Sequence, residues 1–429
     1  MEPVRSVELA GHPLDGSNLT GTQRLFWMGQ RLFGDAPLYD MILAFEIDGE
    51  IDAEHFRRAF RSVVERSDAL RAVIVETGGL PEWRVLPEID DGLEIVDLSV
   101  AADPRSALES WIEAHRALGV RLEERLFRTA LLRLGSARWV WYLDQHHLAT
   151  DGWSASILYR AVAEAYRLST EGRLADAPKL PRFEDYLPFE RRWRTTDEGK
   201  RAVAYWREQV ASLPEPVAPG GRFGAARLAS GTRSTRSRRI AVPLGKERSI
   251  AVRTRAPEIG PRTLTPHIAC FQLFAAILFA WLHRRTARTS LAVGAPAHNR
   301  GTADLKRTIG VLIEVLPFRI EIGPGETFRS LYDKVAAETL RFLRHAGPGM
   351  AEVASGARLD VVLNYISAAF GDFDGRPVRV DWIHSGHSDA AHALRLHVHD
   401  FELTKTFLLE LDLRADAFDA AEDDAISSE

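Results

Sequence analysis

The chain has 429 residues, of which 45% are hydrophobic and 27% are charged, so it is long enough for two domains of about 200 residues each with substantial cores. Its net charge of -5 gives no reason to expect a nucleic-acid partner, and its single cysteine, Cys270, excludes internal disulfides and suits a reducing cytosol. The chain does not open with a basic region followed by an apolar one, so no signal peptide is predicted and a cytoplasmic location is expected.

The first 176 residues are predicted to form one lobe of alternating strands and helices. Strands are predicted at residues 41–47, 70–75, 126–134 and 139–143. Asp52 is placed to cap a helix whose apolar stripe includes Phe56 and Phe60. A turn at Gly135 and Ser136 joins the last two strands, so a hairpin delivers the residues that follow them. This alternation indicates an α/β sandwich.

The stretch His-His-Leu-Ala-Thr-Asp-Gly follows that hairpin at residues 146–152 and precedes a helix. Side chains alternate along a strand, so His146 and His147 are expected to point to opposite faces, and at most one of them enters a given cavity. Asp151 is placed to fold back and orient the loop, and Gly152 lets the backbone turn tightly beside it. A lone strand-end histidine is usually structural, but two in tandem before Asp-Gly favour a functional site.

A composition rich in proline, alanine and charge at residues 172–181 marks the predicted boundary between a first lobe, residues 1–176, and a second lobe, residues 177–429. Residues 183–210 are predicted to be helical. Thr265 and Pro266 open an apolar helix that is predicted to reach about Arg285. Its most apolar run, residues 268–282, is interrupted by Gln272 and falls short of the roughly 18 residues needed to span a bilayer, so a buried helix is predicted. Strands are predicted at residues 291–296, 359–365, 394–398 and 407–413.

A basic stretch runs from Arg222 to Arg255, with Glu247 as its only acid. In a chain of net negative charge it is a local reversal of sign. Two interpretations stay open. The stretch is either a solvated loop and strand, or a docking surface for an acidic protein or a phosphate, because complementary fields raise the rate of encounter.

Residues 146–152, with the continuation Asp-Gly-Trp-Ser, resemble the active-site motif of nonribosomal peptide synthetase condensation domains and the related chloramphenicol-acetyltransferase-like acyltransferases. Other parts of the chain that match the family are Tyr205-Trp206, residues 310–319 and Asn364-Tyr365. Glu314 stands where the family usually has asparagine. The resemblance implies an α/β fold of two chloramphenicol-acetyltransferase-like lobes, each a mixed sheet with flanking helices. The lobes form a pseudo-dimer with the site between them.

By this resemblance, the reaction is the attack of an amine or a hydroxyl on an acyl thioester carried by phosphopantetheine, in tunnels that meet at the histidine motif. Histidine, with an ordinary pKa of about 6.5, is suited to take the proton that the nucleophile loses. We predict that His147 is this group and that His146 packs and hydrogen bonds behind it. Gly152 and the positive end of the helix are predicted to lie close to the developing oxyanion.

The resemblance also assigns supporting residues. Asp151 is expected to form an ion pair that holds the loop in shape, and Arg300 is the predicted partner. Asn364 is expected to face the channel from the second lobe, although a strand-end turn residue is an equal interpretation. Trp153 and Ser154 complete the predicted substrate-side residues.

The resemblance implies no cofactor of the chain's own, because phosphopantetheine is carried by an acyl or peptidyl carrier protein. The acceptor is expected to be a small molecule or a second carrier, and we expect no nucleic-acid or membrane partner and a monomer. No metal is predicted, because the histidines between His384 and His399 lack the spacing of a zinc site. The starting methionine and the acidic end favour a free-standing condensation enzyme of natural-product biosynthesis.

Two alternatives stay open at this point. One is an O-acyltransferase that takes its acyl group from coenzyme A or a polyketide carrier. The other is a catalytically silent module that docks the partners of a synthetase. The intact His-His-x-x-x-Asp-Gly pattern argues against the silent module, which has no need to keep those residues.

Overall fold

The computed structural model describes residues 16–217, 234–259, 265–401, 405–419, 422 and 426. Its first half contains four helices and six strands within those ranges. In chain order they are α1 (Gly21–Phe33), β1 (Asp40–Asp48), α2 (Ala53–Arg66), β2 (Ala72–Thr77), β3 (Leu80–Val85), β4 (Leu93–Asp97), α3 (Pro104–Arg116), β5 (Phe127–Gly135), β6 (Arg138–His146) and α4 (Gly152–Thr170).

The second half of the described chain continues with more helices and strands. In order they are α5 (Tyr186–Thr195), α6 (Asp197–Ala211), β7 (Ser237–Pro243), α7 (Gly245–Ile259), α8 (Pro266–Thr286), β8 (Ser290–His298), β9 (Ile313–Glu321), α9 (Phe328–His345), α10 (Met350–Val353), β10 (Val361–Ala368), β11 (Val378–Ile383), β12 (Leu394–Phe401) and β13 (Phe407–Arg414).

Two mixed sheets organise these elements into two lobes. The first sheet has the strand order β11-β1-β6-β5-β4, and the second has the order β7-β13-β12-β10-β8-β9. The predicted two-lobe α/β fold is confirmed. The predicted boundary at residue 176 needs one correction, because β11 pairs antiparallel with β1 and therefore belongs to the first lobe's sheet. The second half of the chain thus closes the edge of the first sheet.

The core of the first lobe lies between its sheet and helices α2 and α4. Asp52 caps α2 as predicted, because its Oδ1 accepts hydrogen bonds from the backbone N–H groups of Glu54 and His55. Phe56 and Phe60 on this helix pack against Trp141 of β6, and all three rings are fully buried. This packing fixes the strand whose end carries the histidine motif.

The core of the second lobe is built around α8, the predicted buried helix. Thr265 caps it, Pro266 occupies its first turn, and its inward face carries Phe274, Phe279 and Leu282. By length and composition alone this helix could cross a membrane, but half of its apolar window is buried inside the protein. The prediction of a core helix is confirmed.

Residues 183–210 are largely helical, as predicted, but they form two α-helices. The segment is divided into α5 and α6 at Thr196, whose backbone is extended and whose Oγ1 accepts a hydrogen bond from the N–H of Gly199. Gly199 approaches the carbonyl of Trp193 so closely that a side chain there would collide with it. A cap inside an otherwise helical pattern therefore breaks the helix.

A buried carboxyl group, Glu314 on β9, ties the second lobe together near its contact with α1. Its Oε1 accepts hydrogen bonds from the N–H of Gly349 at 2.7 Å and from Asn299 Nδ2 at 3.1 Å, and its Oε2 accepts one from the N–H of Ala351 at 2.6 Å. Burial, with the nearby negative charge of Glu190, raises the pKa of Glu314 to about 8. Glu314 is therefore largely protonated at neutral pH.

Glu190 and Arg24 connect the same region to the first lobe. Glu190 Oε1 accepts a hydrogen bond from the N–H of Gly21 at 2.9 Å, at the start of α1. Arg24 on α1 forms a buried ion pair with Glu352 of α10 at 2.6 Å. The residue that departs from the family pattern, Glu314, thus lies beside a polar contact between the lobes.

Replacing Glu314 by glutamine should change how stability depends on pH. The unfolded chain ionises this carboxyl near its ordinary pKa of 4.5, whereas the folded chain keeps the proton up to about pH 8. Wild-type stability should therefore fall as the pH rises through this window, a fall that the glutamine variant cannot show because its amide does not ionise. Melting temperatures at intervals across this window should show the variant becoming more stable relative to the wild type as the pH rises.

Glu65→Gln, at an exposed position of α2, is the control, and its melting temperature should depend on pH as that of the wild type does. Parallel curves for Glu314→Gln and the wild type would contradict this account.

Candidate active site

The histidine motif lies in the turn between β6 and α4. His146 is the last residue of β6 and pairs with Asp40 of β1, and α4 begins at Gly152. The N–H of His147 donates a hydrogen bond at 2.9 Å to the carbonyl of Tyr39, the residue before β1, so the first residue of the turn is also fixed to the first sheet. The predicted sequence of strand, short loop and helix is therefore what positions the two imidazoles.

The imidazole of His147 is held in one tautomer. Its Nδ1 lies 3.0 Å from the carbonyl oxygen of Thr150, which can only accept, so Nδ1 carries the proton and Nε2 carries a free lone pair. The ring stacks on Phe26 with a centroid separation of 5.3 Å. Burial lowers the pKa of His147, and the positive charge of Arg395 on β12 lowers it further. At neutral pH His147 is therefore a neutral imidazole whose Nε2 can accept a proton.

Both ring nitrogens of His146 are occupied. Its Nε2 hydrogen bonds to Gln30 Oε1 at 3.2 Å, and its Nδ1 accepts a hydrogen bond from the N–H of Leu148 at 3.0 Å. The side chain is 1% exposed, and burial lowers its pKa to about 3. The structure places His146 behind His147 as a packed, neutral residue.

Asp151 is fully occupied by hydrogen bonds, and among the described contacts none goes to His147. Its Oδ1 accepts from the N–H of Ser154 at 2.8 Å, which caps α4, and from Arg300 Nη2 at 2.8 Å. Its Oδ2 accepts from the same Nη2 at 3.0 Å and from the N–H of Leu312 at 2.9 Å. The predicted ion pair between Asp151 and Arg300 is therefore formed in the structure, and both of its side chains are buried.

Arg300 brings the second lobe to the start of α4. Besides Asp151, its guanidinium donates to the carbonyls of Leu305 and Thr308, each at 2.7 Å, and to Ser154 Oγ at 2.7 Å. We call Asp151, Ser154 and Arg300 the clamp. Because its members come from both lobes, the clamp sets the position of the His147 loop relative to the second sheet.

Ser154 and Trp153, two of the predicted substrate-side residues, have different roles in the structure. Ser154 is fully buried, and its hydroxyl hydrogen bonds to both the N–H and the carbonyl of Gly310, so it belongs to the clamp and has no room for a substrate. Trp153 is 38% exposed and donates its Nε1–H to the carbonyl of Lys306. Its ring packs 5.2 Å from that of His298, so it covers the second lobe beside the clamp.

Gly152 is the first residue of α4, and its backbone does not require glycine. A Cβ at this position would point toward the ring of Trp382 on β11, 3.6 Å away. The space that the missing side chain leaves open therefore lies between α4 and the strand that the second half of the chain adds to the first sheet.

One face of the second sheet carries polar side chains on the side of the first lobe. Asn364 on β10 lies opposite His397 on β12, and its Nδ2 hydrogen bonds to His397 Nδ1 at 3.2 Å. His397 Nε2 donates to Asp412 at 3.1 Å, and Arg239 forms a bidentate pair with the same carboxylate, which holds the pKa of Asp412 well below its usual range. Arg239 also donates to the carbonyl of Trp382, so this face is turned toward the first lobe. Asn364 is half-buried on it.

The other sequence features have structural roles where the structure describes them. The histidines of residues 384–399 hydrogen bond to Ser237, Thr235, Leu359, Asp412 and Glu410. Among the described residues, no group of three or more His, Cys, Asp or Glu side chains is placed to hold a metal ion. In the basic stretch, Arg239 and Arg253 form ion pairs with acids of the second sheet. Arg222, Arg227 and Arg233 lie outside the described residues, so the docking interpretation stays a prediction.

Comparison with known sequences places this geometry in a family. The sequence model of the condensation domain matches residues 15–428. The chain belongs to the condensation-domain family. As a condensation domain it is an acyltransferase, and its relatives act in nonribosomal peptide synthesis. The resemblance inferred from residues 146–152 is confirmed.

Two relatives illustrate how this condensation domain compares with larger proteins. It is 29% identical over 334 residues to a probable non-canonical nonribosomal peptide synthetase of Salinispora arenicola, covering 76% of this chain and 4% of that protein. It is 27% identical over 342 residues to an isonitrile lipopeptide synthase of Streptomyces coeruleorubidus, covering 79% of this chain and 22% of that protein. The chain therefore spans a small part of the relatives it matches.

Solved condensation domains share the fold. The first condensation domain of the CDA synthetase superimposes with a TM-score of 0.81 at 24% identity, covering 96% of this chain and 93% of that one. The starter condensation domain of rhizomide synthetase, as a point mutant in complex with C8-CoA, gives a TM-score of 0.79 at 23% identity, covering 92% and 88%.

Sequence reasoning missed three residues that shape the site: Phe26, Gln30 and Arg395. Phe26 and Gln30 lie on α1, far in sequence from the histidines that they contact, so no local pattern marks them. Arg395, in contrast, could have been found from the local sequence pattern. It alternates with apolar residues along β12 and so shares a face with His397 and His399.

Replacing Asp151 by Ala should destabilise the protein by about 3–5 kcal/mol, because the buried charge of Arg300 would lose its partner. Urea unfolding measures this loss, and activity should fall with it. Asp333→Ala, which breaks an exposed pair with Arg329 on α9, is the matched control and should cost no more than about 1 kcal/mol. If Asp151→Ala lost activity with an unchanged free energy of unfolding, Asp151 would have a chemical role instead.

Proposed function

We propose that this condensation domain joins an acyl or aminoacyl thioester on a carrier protein to an amine or a hydroxyl, forming an amide or an ester. The observation that supports this most directly is the free lone pair of His147 Nε2, on the loop that the clamp holds between the two lobes. A neutral imidazole there can serve a nucleophile that must lose a proton.

The proposed reaction begins with attack on the thioester. The nucleophile's nitrogen or oxygen attacks the thioester carbonyl carbon, and the carbonyl oxygen becomes an oxyanion. A hydroxyl passes its proton to His147 Nε2 during the attack, because it is a weak nucleophile. An amine attacks unaided, so His147 chiefly positions it and takes its surplus proton afterwards. The C–S bond then breaks, and the thiolate leaves with the proton that His147 collected.

The clamp supports this step without taking part in it. Asp151 satisfies the N–H of Ser154, so the N–H groups of Gly152 and Trp153 and the positive end of α4 remain to stabilise negative charge. Since the carboxylate of Asp151 has no hydrogen bond to His147 in the described part of the chain, it acts on the imidazole by holding the loop and through its negative charge, which favours the protonated ring.

The proposed partners follow from the chemistry. Phosphopantetheine would arrive on an acyl or peptidyl carrier protein, which a basic cleft supports. The cleft, of about 560 Å³, lies beside the loop that Trp153 contacts, and its charged lining residues are four cations, Lys179, Arg182, Arg192 and Arg307, and two acids, Asp185 and Asp304. A positive surface attracts an acidic carrier and a phosphate. We further propose a free-standing, monomeric, cytoplasmic enzyme whose acceptor is a small molecule or a second carrier.

The choice of donor separates this proposal from its nearest rival. Incubation with an acyl-carrier protein and with the matching acyl-coenzyme A should give faster turnover from the carrier. Faster turnover with coenzyme A would instead favour the O-acyltransferase.

Replacing His147 by Ala should lower the rate of acyl transfer by about 10²- to 10⁴-fold, the usual contribution of a positioned base. The fold should persist, because the ring is not fully buried. His267→Ala, which removes an exposed imidazole at the start of α8, is the control and should leave the rate unchanged. A normal rate in His147→Ala would remove this residue from the mechanism and favour the silent docking module.

The pH dependence should follow the lowered pKa of His147. The base must be neutral, and burial moves its protonation below the ordinary value of 6.5, so kcat/KM should stay level from about pH 8 to below 6.5 and fall only in more acidic solution. An alcohol acceptor is the right probe, because it does not titrate in this range. A fall whose midpoint lies above 6.5 would contradict the assignment.

A further inference from the structure

One cation on the polar face of the second sheet has no acid partner among the described residues. Arg395 on β12 is half-buried, and no described carboxylate lies within ion-pair distance of its guanidinium. Two other basic side chains of this face differ in this respect. His399 hydrogen bonds to Glu410, and Arg239 pairs with both Glu410 and Asp412. Arg395 interacts electrostatically with Asp389, whose pKa it lowers, but the N–H donors of its guanidinium are in ion-pair contact with no described carboxylate and are available to a ligand.

Arg395 shares its face with residues that look toward the first lobe. Side chains alternate along β12, so Arg395 and His397 lie on the same side. His397 is fixed on that side by its hydrogen bonds to Asn364 and Asp412. Arg395 pairs with Val362 in the parallel register, and Asn364 is two residues further along the same strand. Arg395 and Asn364 are therefore diagonal neighbours.

The charge of Arg395 is felt at the histidine motif. It lowers the pKa of His147 and also that of Asp389, whose carboxylate accepts the hydroxyl hydrogen of Tyr39. Tyr39 is the residue whose carbonyl holds the N–H of His147. The contacts of Trp382 agree with this: its ring lies 5.5 Å from that of His399, on the face that Arg395 shares, and 3.6 Å from a Cβ built at Gly152. The face that carries Arg395 is therefore turned toward the start of α4, beside the His147 loop.

We infer that Arg395 binds the carboxylate of the acceptor, and that the acceptor is a free amino acid or a similar small acid rather than a carrier-bound thioester. This inference rests on the proposed acyl transfer at His147. A guanidinium presents paired N–H donors that match the two oxygens of a carboxylate. An acceptor tethered to a carrier has its α-carboxyl group committed to the thioester, so that group cannot bind as a carboxylate.

The second nearby polar group supports the same ligand. Asn364 donates through Nδ2 to His397, and its Oδ1 has no partner among the described residues. An amide oxygen there can accept a hydrogen bond from the acceptor's amine. An α-amino acid carries both groups, and the carboxylate on Arg395 would leave the amine on the side of Asn364 and His147.

Binding of a carboxylate would also act on the base. The positive charge of Arg395 disfavours protonation of His147. A bound carboxylate neutralises that charge, so the imidazole becomes a better proton acceptor once the acceptor is in place. The phosphate of the pantetheine arm fits this position less well, because the whole length of the arm separates it from the reacting sulfur.

Equilibrium binding tests this inference without the acyl donor. Ligand-observed NMR titrations would use the proteinogenic L-amino acids and their primary amides as probes, with wild-type protein, Arg395→Gln and Arg395→Lys. We expect at least one free amino acid to bind the wild type about tenfold or more tightly than its amide, the loss of one charge-assisted contact. Arg395→Gln should lose this preference, and Arg395→Lys should keep part of it, because lysine retains the charge without the fork of donors.

Arg138→Gln, at an exposed position at the start of β6, is the control and should bind as the wild type does. Equal binding of acids and amides, an unchanged preference in Arg395→Gln, or no binding of any free amino acid would each overturn the inference. None of these results depends on acyl transfer. The His147→Ala assay with an acyl-carrier donor therefore fails or succeeds separately and decides the proposed function by itself.

Discussion

The buried ion pair between Asp151 and Arg300 is the constraint on which the rest of the site depends. Both side chains are almost fully excluded from solvent, and they come from different lobes. A buried ion pair adds little to stability compared with apolar packing, but removing one of its partners is strongly destabilising. Its value here is geometric. It fixes the start of α4, and with it the His147 loop, against the second sheet.

The same principle orders the opposing face. The carboxylates of Asp412 and Glu410 are held by Arg239, and the imidazoles of His397 and His399 donate to them. These groups hold one another in place, so the polar face of the second sheet is preorganised. Arg395 is the exception within it: it lies opposite Asp412 in the strand register and lowers the pKa of Asp389, but its guanidinium is in ion-pair contact with no described carboxylate. Such a site consists of side chains fixed by their mutual hydrogen bonds and ion pairs, with one cationic group available to a ligand.

Much of this arrangement could be predicted from the sequence, because it depends on local patterns. The apolar run of β6, the cap at Asp151 and the small-polar turn between them mark the motif, and the family pattern suggested Arg300 as the partner of Asp151. Asp52 at α2 and Thr265 at α8 were visible for the same reason, since caps precede amphipathic or apolar runs.

The features that could not be predicted depend on tertiary contacts. The alternation in β11 is typical of a half-buried strand, but nothing local says that it joins the first sheet. The break at Thr196 comes with the close approach of Gly199 to Trp193, which a helical pattern conceals. Ser154 is an ordinary polar residue after a histidine motif until Arg300 and Gly310 surround its hydroxyl. That the guanidinium of Arg395 is available to a ligand can be recognised only when the ion pairs and hydrogen bonds of the surrounding side chains are known.

The central claim is that the reacting carbonyl meets its nucleophile at Nε2 of His147. The most direct test is a crystal structure of the protein with an acyl-pantetheine analogue in which a ketone replaces the thioester. The account predicts that the ketone carbon lies between the lobes, with room for a nucleophile within about 3.2 Å of His147 Nε2. An analogue whose ketone lies elsewhere, with the ring of His147 closed off from it, would contradict the account.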